Sequence, residues 1–343
     1  MNIATNEYFR PLVQRGNVRP DDAVHLAGGR YWFTHAERLC HGGPGRICPV
    51  SEIPRDVLQN LTAPRPPLAG LDMSEPRLMG ILNVTPDSFS DGGQHNGPAR
   101  AVAHGKKMLE DGADIIDVGG ESTRPGAVDV PPEAEIARIE PVISALTRTL
   151  GVPISIDTRK RAVAEVAVTA GAGLVNDVSG FTYDKCLARF CAQHHLPVCV
   201  MHMQGTPQDM QDNPRYDNVL LEVYDFLDAQ ICMLVEAGIP RHRILADPGI
   251  GFGKSIAHNL ALLNGLSLFH GLGVALLLGA SRKGMIRVVG KAEDPADRMP
   301  GSVAVALAGA AQGVQMLRVH DVAETKQALR LWQAVEEGAW DGT

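Results

Sequence analysis

Ile154-Ser155-Ile156-Asp157 is a four-residue run that ends in an acid, is entered through Pro153, and is followed over residues 161–170 by Ala and Val at helical spacing. A short β-branched run with a Pro or Gly boundary and a helical pattern after it reads as a strand buried in a parallel sheet. Ile115-Ile116-Asp117-Val118, Leu174-Val175-Asn176-Asp177 and Ile244-Leu245-Ala246-Asp247 repeat the pattern, each with Asp or Asn at or next to its carboxyl end. Polar side chains at the carboxyl ends of parallel strands converge on one rim, and in a closed barrel that rim carries the active site. The chain therefore reads as an enzyme before any motif is matched.

Further runs at 78–84, 197–201, 274–279 and 316–319 bring the strands to eight. Helical stretches lie between them, for example 99–111, 133–150 and 218–237. Eight strands with crossovers predict the α/β class and a (β/α)8 TIM barrel over residues 74–343, with a doubly wound open sheet as the alternative. Residues 1–73 differ: Pro and Gly punctuate them, residues 23–33 read as a β-hairpin around Gly28-Gly29, and residues 62–67 form a Pro-rich connector. They predict an appended N-terminal module, with Tyr31-Trp32-Phe33 covering the barrel floor.

The composition bounds the function. With 343 residues, 45% of them apolar and only 5% aromatic, the chain can bury a large aliphatic core. A net charge of −7 argues against a nucleic-acid partner, while a small anionic substrate needs only a few local cations. The six cysteines form no C-x-x-C pair, so neither a disulfide framework nor a thiolate zinc site is expected. No secretion signal and no run of membrane-spanning length is evident, which predicts a cytoplasmic location and no membrane partner.

Two loops after the first two strands are dense in small residues and prolines: Asn83-Val84-Thr85-Pro86-Asp87-Ser88-Phe89-Ser90-Asp91-Gly92-Gly93 and Gly119-Gly120-Glu121-Ser122-Thr123-Arg124-Pro125-Gly126. Such segments can close over a ligand, Arg124 offers paired donors to a phosphate, and Asn83 offers an oxygen suited to Mg2+. Asp157, Asn176 and Asp247 end three strands. Carboxylates and an amide across a barrel mouth match the donors of a 2-amino-4-oxo heterocycle such as a pterin. Singly, Asp157 and Asp247 read equally well as helix N-caps; Asp117 and Asp177 are left unassigned.

Asp247-Pro248-Gly249-Ile250-Gly251-Phe252-Gly253-Lys254-Ser255 resembles a phosphate loop, but Pro248 stands where that pattern needs Gly. Its glycines instead let backbone approach a ligand, with Phe252 as a stacking or lid residue. Gly279-Ala280-Ser281-Arg282-Lys283 and Arg318-Val319-His320-Asp321 follow the last two strands, where this architecture usually binds phosphate. Lys283 can donate to a ring, Ser281 can bond a carboxylate, and Arg318 with His320 can clamp a diphosphate. Arg282 and Lys291 read as surface ion-pair residues.

From residue 78 to the C-terminal helix near Trp332 these motifs, with Met201-His202-Met203-Gln204-Gly205, resemble the bacterial dihydropteroate synthase family, the folate-pathway enzymes inhibited by sulfonamides. The resemblance implies condensation of 6-hydroxymethyl-7,8-dihydropterin diphosphate with p-aminobenzoate in the presence of Mg2+, and a homodimer. It implies that Asp157, Asn176, Asp247 and Lys283 hold the pterin with Met201 packed against it. It places Asn83, Arg124, Arg318 and His320 on the diphosphate and its magnesium, and Thr123, Pro125, Phe252, Ser281 and Phe89 around p-aminobenzoate. Asp157, Lys283, Asp247 and Arg318 are then the catalytic set. Ile250 and Gly284 depart from the family pattern, where Phe and Ser are common. A pterin-dependent methyltransferase domain and a noncatalytic pterin-binding paralogue are the rivals; the first has no use for Arg124, Lys283 and Arg318 beside a diphosphate, and the second is expected to have decayed loops.

Overall fold

The computed structural model describes residues 7–85, 97–122, 126–206 and 208–339. Eight strands form a closed parallel barrel: β6 (Arg77–Asn83), β7 (Ile115–Gly119), β8 (Ile154–Asp157), β9 (Leu174–Asp177), β10 (Val198–Met201), β11 (Ile244–Asp247), β12 (Ala275–Leu278) and β13 (Met316–Val319), with β13 pairing back onto β6. Helices cover its outside, among them α2 (Gly97–Glu110), α3 (Pro132–Thr149), α4 (Arg161–Thr169), α6 (Val219–Glu236), α7 (Ile256–Asn264), α9 (Met299–Ala310) and α10 (Val322–Glu337). The barrel, not the open sheet, is the outcome, and the strands and helices match the sequence expectation within two residues at each end.

Alternation along each strand divides the side chains into two sets. Leu78, Ile116, Val118, Ile154, Ile156, Val175, Val198, Val200, Ile244, Leu276 and Leu317 face outward and pack against the helices in one core. Met79, Ile115, Leu174, Cys199, Leu245, Ala275, Leu277 and Met316 share a second cluster inside the barrel, in its lower layers. Two residues further along the strands the inward positions become Asp117, Asp157, Asn176, Met201, Asp247 and Arg318. Register sets their heights: Asn83 lies opposite Gly119, Gly119 opposite Asp157, and Asp157 opposite Asn176.

The N-terminal segment builds a three-stranded antiparallel sheet from β1 (Tyr8–Pro11), β4 (His35–Leu39) and β5 (Arg46–Pro49), a hairpin of β2 (Val24–His25) and β3 (Trp32–Phe33), and helix α1 (Arg55–Thr62). The hairpin is the one read from the sequence, with Val24 opposite Phe33. Gly28 is required at its turn: φ is +70°, and a Cβ would lie 2.5 Å from the Cα of Pro64. Tyr31 and Phe33 correct the floor expectation. They pack with Phe9, Leu26, Ala36, Cys48, Ile53 and Leu61 in a core of their own, whereas Leu68 and Met73, between the connector and β6, join the lower barrel cluster and close the floor. Burying each of those two side chains contributes about 2–3 kcal/mol.

Several polar contacts fasten this segment to the barrel. Arg65, buried, donates to the carbonyls of Asn60 (2.8 Å) and His270 (2.9 Å); Ser267 Oγ donates to Pro11 O (2.9 Å); Tyr31 Oη donates to Glu336 (2.9 Å). Among the described residues no helix is long and apolar enough to cross a membrane.

Candidate active site

The carboxyl rim of the barrel gathers charge of both signs. Arg318, at an inward position of β13, donates from Nε to Asp117 (2.6 Å) and from Nη2 to Asp157 (2.7 Å). Asn176 Nδ2 donates to the same Asp117 oxygen (3.1 Å). Asp247 accepts from the backbone N–H of Gly249 (2.7 Å), so part of its capacity closes the turn after β11, as an N-cap-like reading anticipates. The other Asp247 oxygen sits beside Gly279, where an added Cβ would approach it to 3.4 Å and the Arg318 side chain to 3.9 Å. Gly279 thus leaves room for a carboxylate and a guanidinium to come near each other.

Lys283, which caps the short helix α8 (Gly284–Val289), turns inward; its Nζ lies 3.8 Å from the centre of the Phe252 ring. Burial lowers Lys283 to about 8, with Arg318 adding to the fall and Asp247 and Asp157 opposing it. Burial likewise raises Asp157 and Asp247 above the usual carboxylate range, against the pull of Arg318 on both. Asp117, Glu135 and Asp177 add to the rise at Asp157. Arg318 is driven upward by Asp117 and Asp157 in spite of its burial and stays charged at every working pH.

Around these polar groups stands an apolar wall of Val178, Met201, Met210 and Phe252, with Met203 beside it. Ser281 Oγ accepts from the His320 backbone N–H (3.2 Å) and lies 3.0 Å from His320 Nδ1, so the loops after β12 and β13 meet there. Arg282 pairs with Asp321, the surface ion pair read from the sequence. Asn83 ends β6 beside Asp157: a Cβ on Gly119 would lie 3.7 Å from both the Asn83 Oδ1 and an Asp157 oxygen. Among the described residues no group of three or more His, Cys, Asp or Glu side chains could hold a metal.

The structure thus brings Asn83, Asp157, Asn176, Met201, Asp247, Phe252, Ser281, Lys283, Arg318 and His320 to one end of the barrel. Phe89, Thr123, Arg124 and Pro125 lie outside the described residues. Asp117 is the addition: fully buried, it anchors both Arg318 and Asn176, and its Oδ1 has no partner. Its only sequence signal is an acid at an alternate position of a buried strand. Asp177, next to Asn176, points away and accepts from Ser179 N (2.7 Å), Ser179 Oγ (2.6 Å) and Phe181 N (3.0 Å); it shapes a turn.

A second ionic cluster supports the loop after β7. Glu121 accepts from the Val130 N–H (2.9 Å) and pairs with Lys160 (3.1 Å) and Arg159 (3.3 Å); Lys160 also reaches the buried Glu135 (2.9 Å), and Arg159 reaches Asp129 (2.9 Å) while its guanidinium lies over Tyr183. These contacts tie both ends of that loop to the segment following β8.

Residues 79–320 match the family profile of pterin-binding enzymes. The dihydropteroate synthase of Escherichia coli K12 is 47% identical over 264 residues, covering 77% of this chain and 93% of that protein. A structure of Xanthomonas albilineans dihydropteroate synthase with 4-aminobenzoic acid superposes with a TM-score of 0.74 at 48% identity, covering 78% of this chain and 96% of that one. The same enzyme in complex with 7,8-dihydropteroate gives a TM-score of 0.71 at 45% identity, with coverage of 78% and 95%.

Proposed function

The chain belongs to the pterin-binding enzyme family and is a dihydropteroate synthase in activity, and on that premise we propose how its residues divide the reaction. The enzyme joins 6-hydroxymethyl-7,8-dihydropterin diphosphate to p-aminobenzoate and releases pyrophosphate, in folate biosynthesis. Asp157, Asn176, Asp247 and Lys283 hold the pterin ring, with Met201 against its face. Arg318, His320, Asn83 and Arg124 take the diphosphate. Phe252 and Ser281, with Phe89, Thr123 and Pro125, receive p-aminobenzoate.

One observation carries this reading: Arg318 bridges Asp117 and Asp157 in the middle of the rim, with Asn176, Asp247 and Lys283 around it. Cleavage of the carbon–oxygen bond to the diphosphate leaves a positive methylene conjugated with the ring and a negative leaving group. Carboxylates accepting ring N–H bonds stabilise the first, and cations stabilise the second. Arg318 serves both halves. Its two ion pairs use Nε–H and one Nη2–H, so its other donors can reach a phosphate oxygen without releasing either acid. In this dissociative substitution the arylamine attacks the methylene carbon after the bond to the diphosphate has broken, and then loses its proton. Exclusion of water matters because water is a competing nucleophile.

The donor set also fits Mg2+ bound together with the substrate. Mg2+ keeps several waters and takes substrate phosphate oxygens with few protein oxygens, and Asn83 would supply one such neutral oxygen. When bound it neutralises charge on the leaving diphosphate. We further propose that residues 1–73 are an appended module, and that the exposed small residues Ala304 and Ala308, one turn apart on α9, support a homodimer, to be read from solution mass. A cytoplasmic location accords with six unpaired cysteines.

The test is pyrophosphate release on mixing the two substrates with Mg2+. Release requiring both is the expected result; none under any condition overturns the assignment.

A further inference from the structure

The glycine-rich loop after β11 fails as a phosphate loop, yet its lysine is among the most completely buried charges in the molecule. Lys254 is 2% exposed. Its Nζ donates to the carbonyls of Gly249 (2.9 Å) and Phe252 (2.9 Å) and lies 2.8 Å from His202 Nδ1 and 3.3 Å from His202 O. Among the described residues it has no ion pair. Burial lowers Lys254 to about 7, with Asp247 opposing and Lys283 adding to the fall, so below that pH it is an ammonium whose three hydrogens meet two carbonyls and an imidazole nitrogen, a constructed site.

What the ammonium joins is specific. Gly249 and Phe252 belong to the loop after β11, and His202 to the loop after β10. The remaining groups of the first loop are held too: Gly251 O accepts from Gln211 (2.8 Å), Gly253 O from Tyr216 Oη (2.8 Å), and Gly251 N–H donates to Asn259 (2.7 Å). The two loops are pressed together, since a Cβ on Gly249 would lie 1.9 Å from His202 O and one on Gly253 2.3 Å from Gln204 O. Phe252, carried between the two carbonyls nearest Lys254, is the ring that covers Lys283.

We propose that Lys254 and His202 are a positioning pair: the ammonium stitches the loops after β10 and β11 together from inside and thereby fixes Phe252 over Lys283, setting the arylamine side of the pocket. With the Lys254 ammonium as donor, His202 accepts at Nδ1 and carries its proton on Nε2, and its ring is held edge-on against Phe226 (centroids 4.9 Å apart, 83°). Burial and Lys254 both push His202 down, to about 3, which keeps the imidazole neutral. The inference rests on the roles given above to Phe252 and Lys283.

Steady-state kinetics with each substrate varied, on Lys254→Met, His202→Leu and His202→Asn, test the pair. Lys254→Met keeps the length and loses the donors. It is expected to raise the KM for p-aminobenzoate about 10- to 50-fold, the scale of lost charge-assisted hydrogen bonds, while the KM for the pterin diphosphate moves less than about 3-fold. His202→Leu should follow it, and His202→Asn, whose carbonyl oxygen replaces Nδ1 as acceptor, should return within about 3-fold of the parent. Unchanged KM for p-aminobenzoate in both Lys254→Met and His202→Leu, or equal losses for both substrates, overturns the proposal.

A second readout needs no turnover. Nitrogen-15 NMR of His202 in the unliganded enzyme is expected to show a neutral ring protonated at Nε2 at pH 6, where Lys254 carries its charge; a protonated ring or the Nδ1–H tautomer there refutes the pair even if Lys254→Met fails to fold. An enzyme that releases no pyrophosphate would instead refute the catalytic reading while leaving this signature in place.

Discussion

The two ends of one barrel are built from the same alternation and filled with opposite chemistry. At the floor, Met79, Ile115, Leu174, Leu245, Leu277 and Met316 meet Leu68 and Met73 in an apolar cluster, with Ser155 the inward residue of β8 beside it. At the mouth, the same inward positions carry Asp117, Asp157, Asn176, Asp247 and Arg318, joined by Lys283. Burial there opposes ionisation: it raises the Asp157 and Asp247 carboxyls and lowers the Lys283 ammonium. Hydrocarbon gains from leaving water, whereas charges are held at the mouth only by one another and await a ligand that needs them. The floor therefore carries stability and the mouth carries function.

The largest test of that division is at the mouth. Asp157→Ala and Lys283→Ala should each lower kcat/KM by about 1,000-fold or more, roughly 4 kcal/mol, measured by pyrophosphate release, with the urea midpoint nearly unchanged for Lys283→Ala and lowered for Asp157→Ala, which strips a partner from Arg318. Near-parental rates in both would remove the ring-binding assignment. Next in size, Leu68→Ala and Met73→Ala at the floor should cost about 2–5 kcal/mol in urea unfolding with kcat held within about 2-fold. If instead turnover collapses while stability is kept, the two ends are not separable.

A pH profile sharpens the contrast further. Because burial lowers Lys283 to about 8, its neutral form is favoured early: the charge is present below that pH and lost as pH rises through it. The value of kcat/KM for the pterin diphosphate should thus fall about 10-fold per unit above pH ~8, and Lys283→Arg, which keeps its charge, should flatten that limb even if it lowers the plateau. The smallest effect belongs to the module's rim: Arg15→Ala, breaking an exposed pair with Glu336 at 3.1 Å, should cost less than about 1 kcal/mol and leave kinetics unchanged.

How far the site could be read in advance differs residue by residue. Asp157 and Asp247 stand out because each closes a strand, and Asn176 because it stands one residue before the end of β9, all three at the rim. Asp117 was open, since an acid in the middle of a five-residue strand has no visible face until the barrel closes and Arg318 meets it from across the axis. Asp177, beside Asn176, looked equally eligible; alternation turns it outward to hold the backbone of Ser179 and Phe181. Lys254 left no trace as a positioning residue, because its partners include backbone carbonyls, which no residue type announces. The floor was misjudged for a related reason. Tyr31 and Phe33 are the bulkier candidates, but Leu68 and Met73 stand next to β6 in the chain and reach the barrel axis first.

By itself the amino-acid sequence determined the eight-strand period, the helices between the strands, the hairpin and the set of polar residues at the strand ends, because these follow from spacing of apolar side chains and from local turn chemistry. Only the tertiary structure decided which of two adjacent acids looks inward, which guanidinium bridges two carboxylates, and which side chains plug the floor. Those outcomes depend on closure of the sheet, which sets heights and partners between segments far apart in the chain and cannot be computed from any one of them alone.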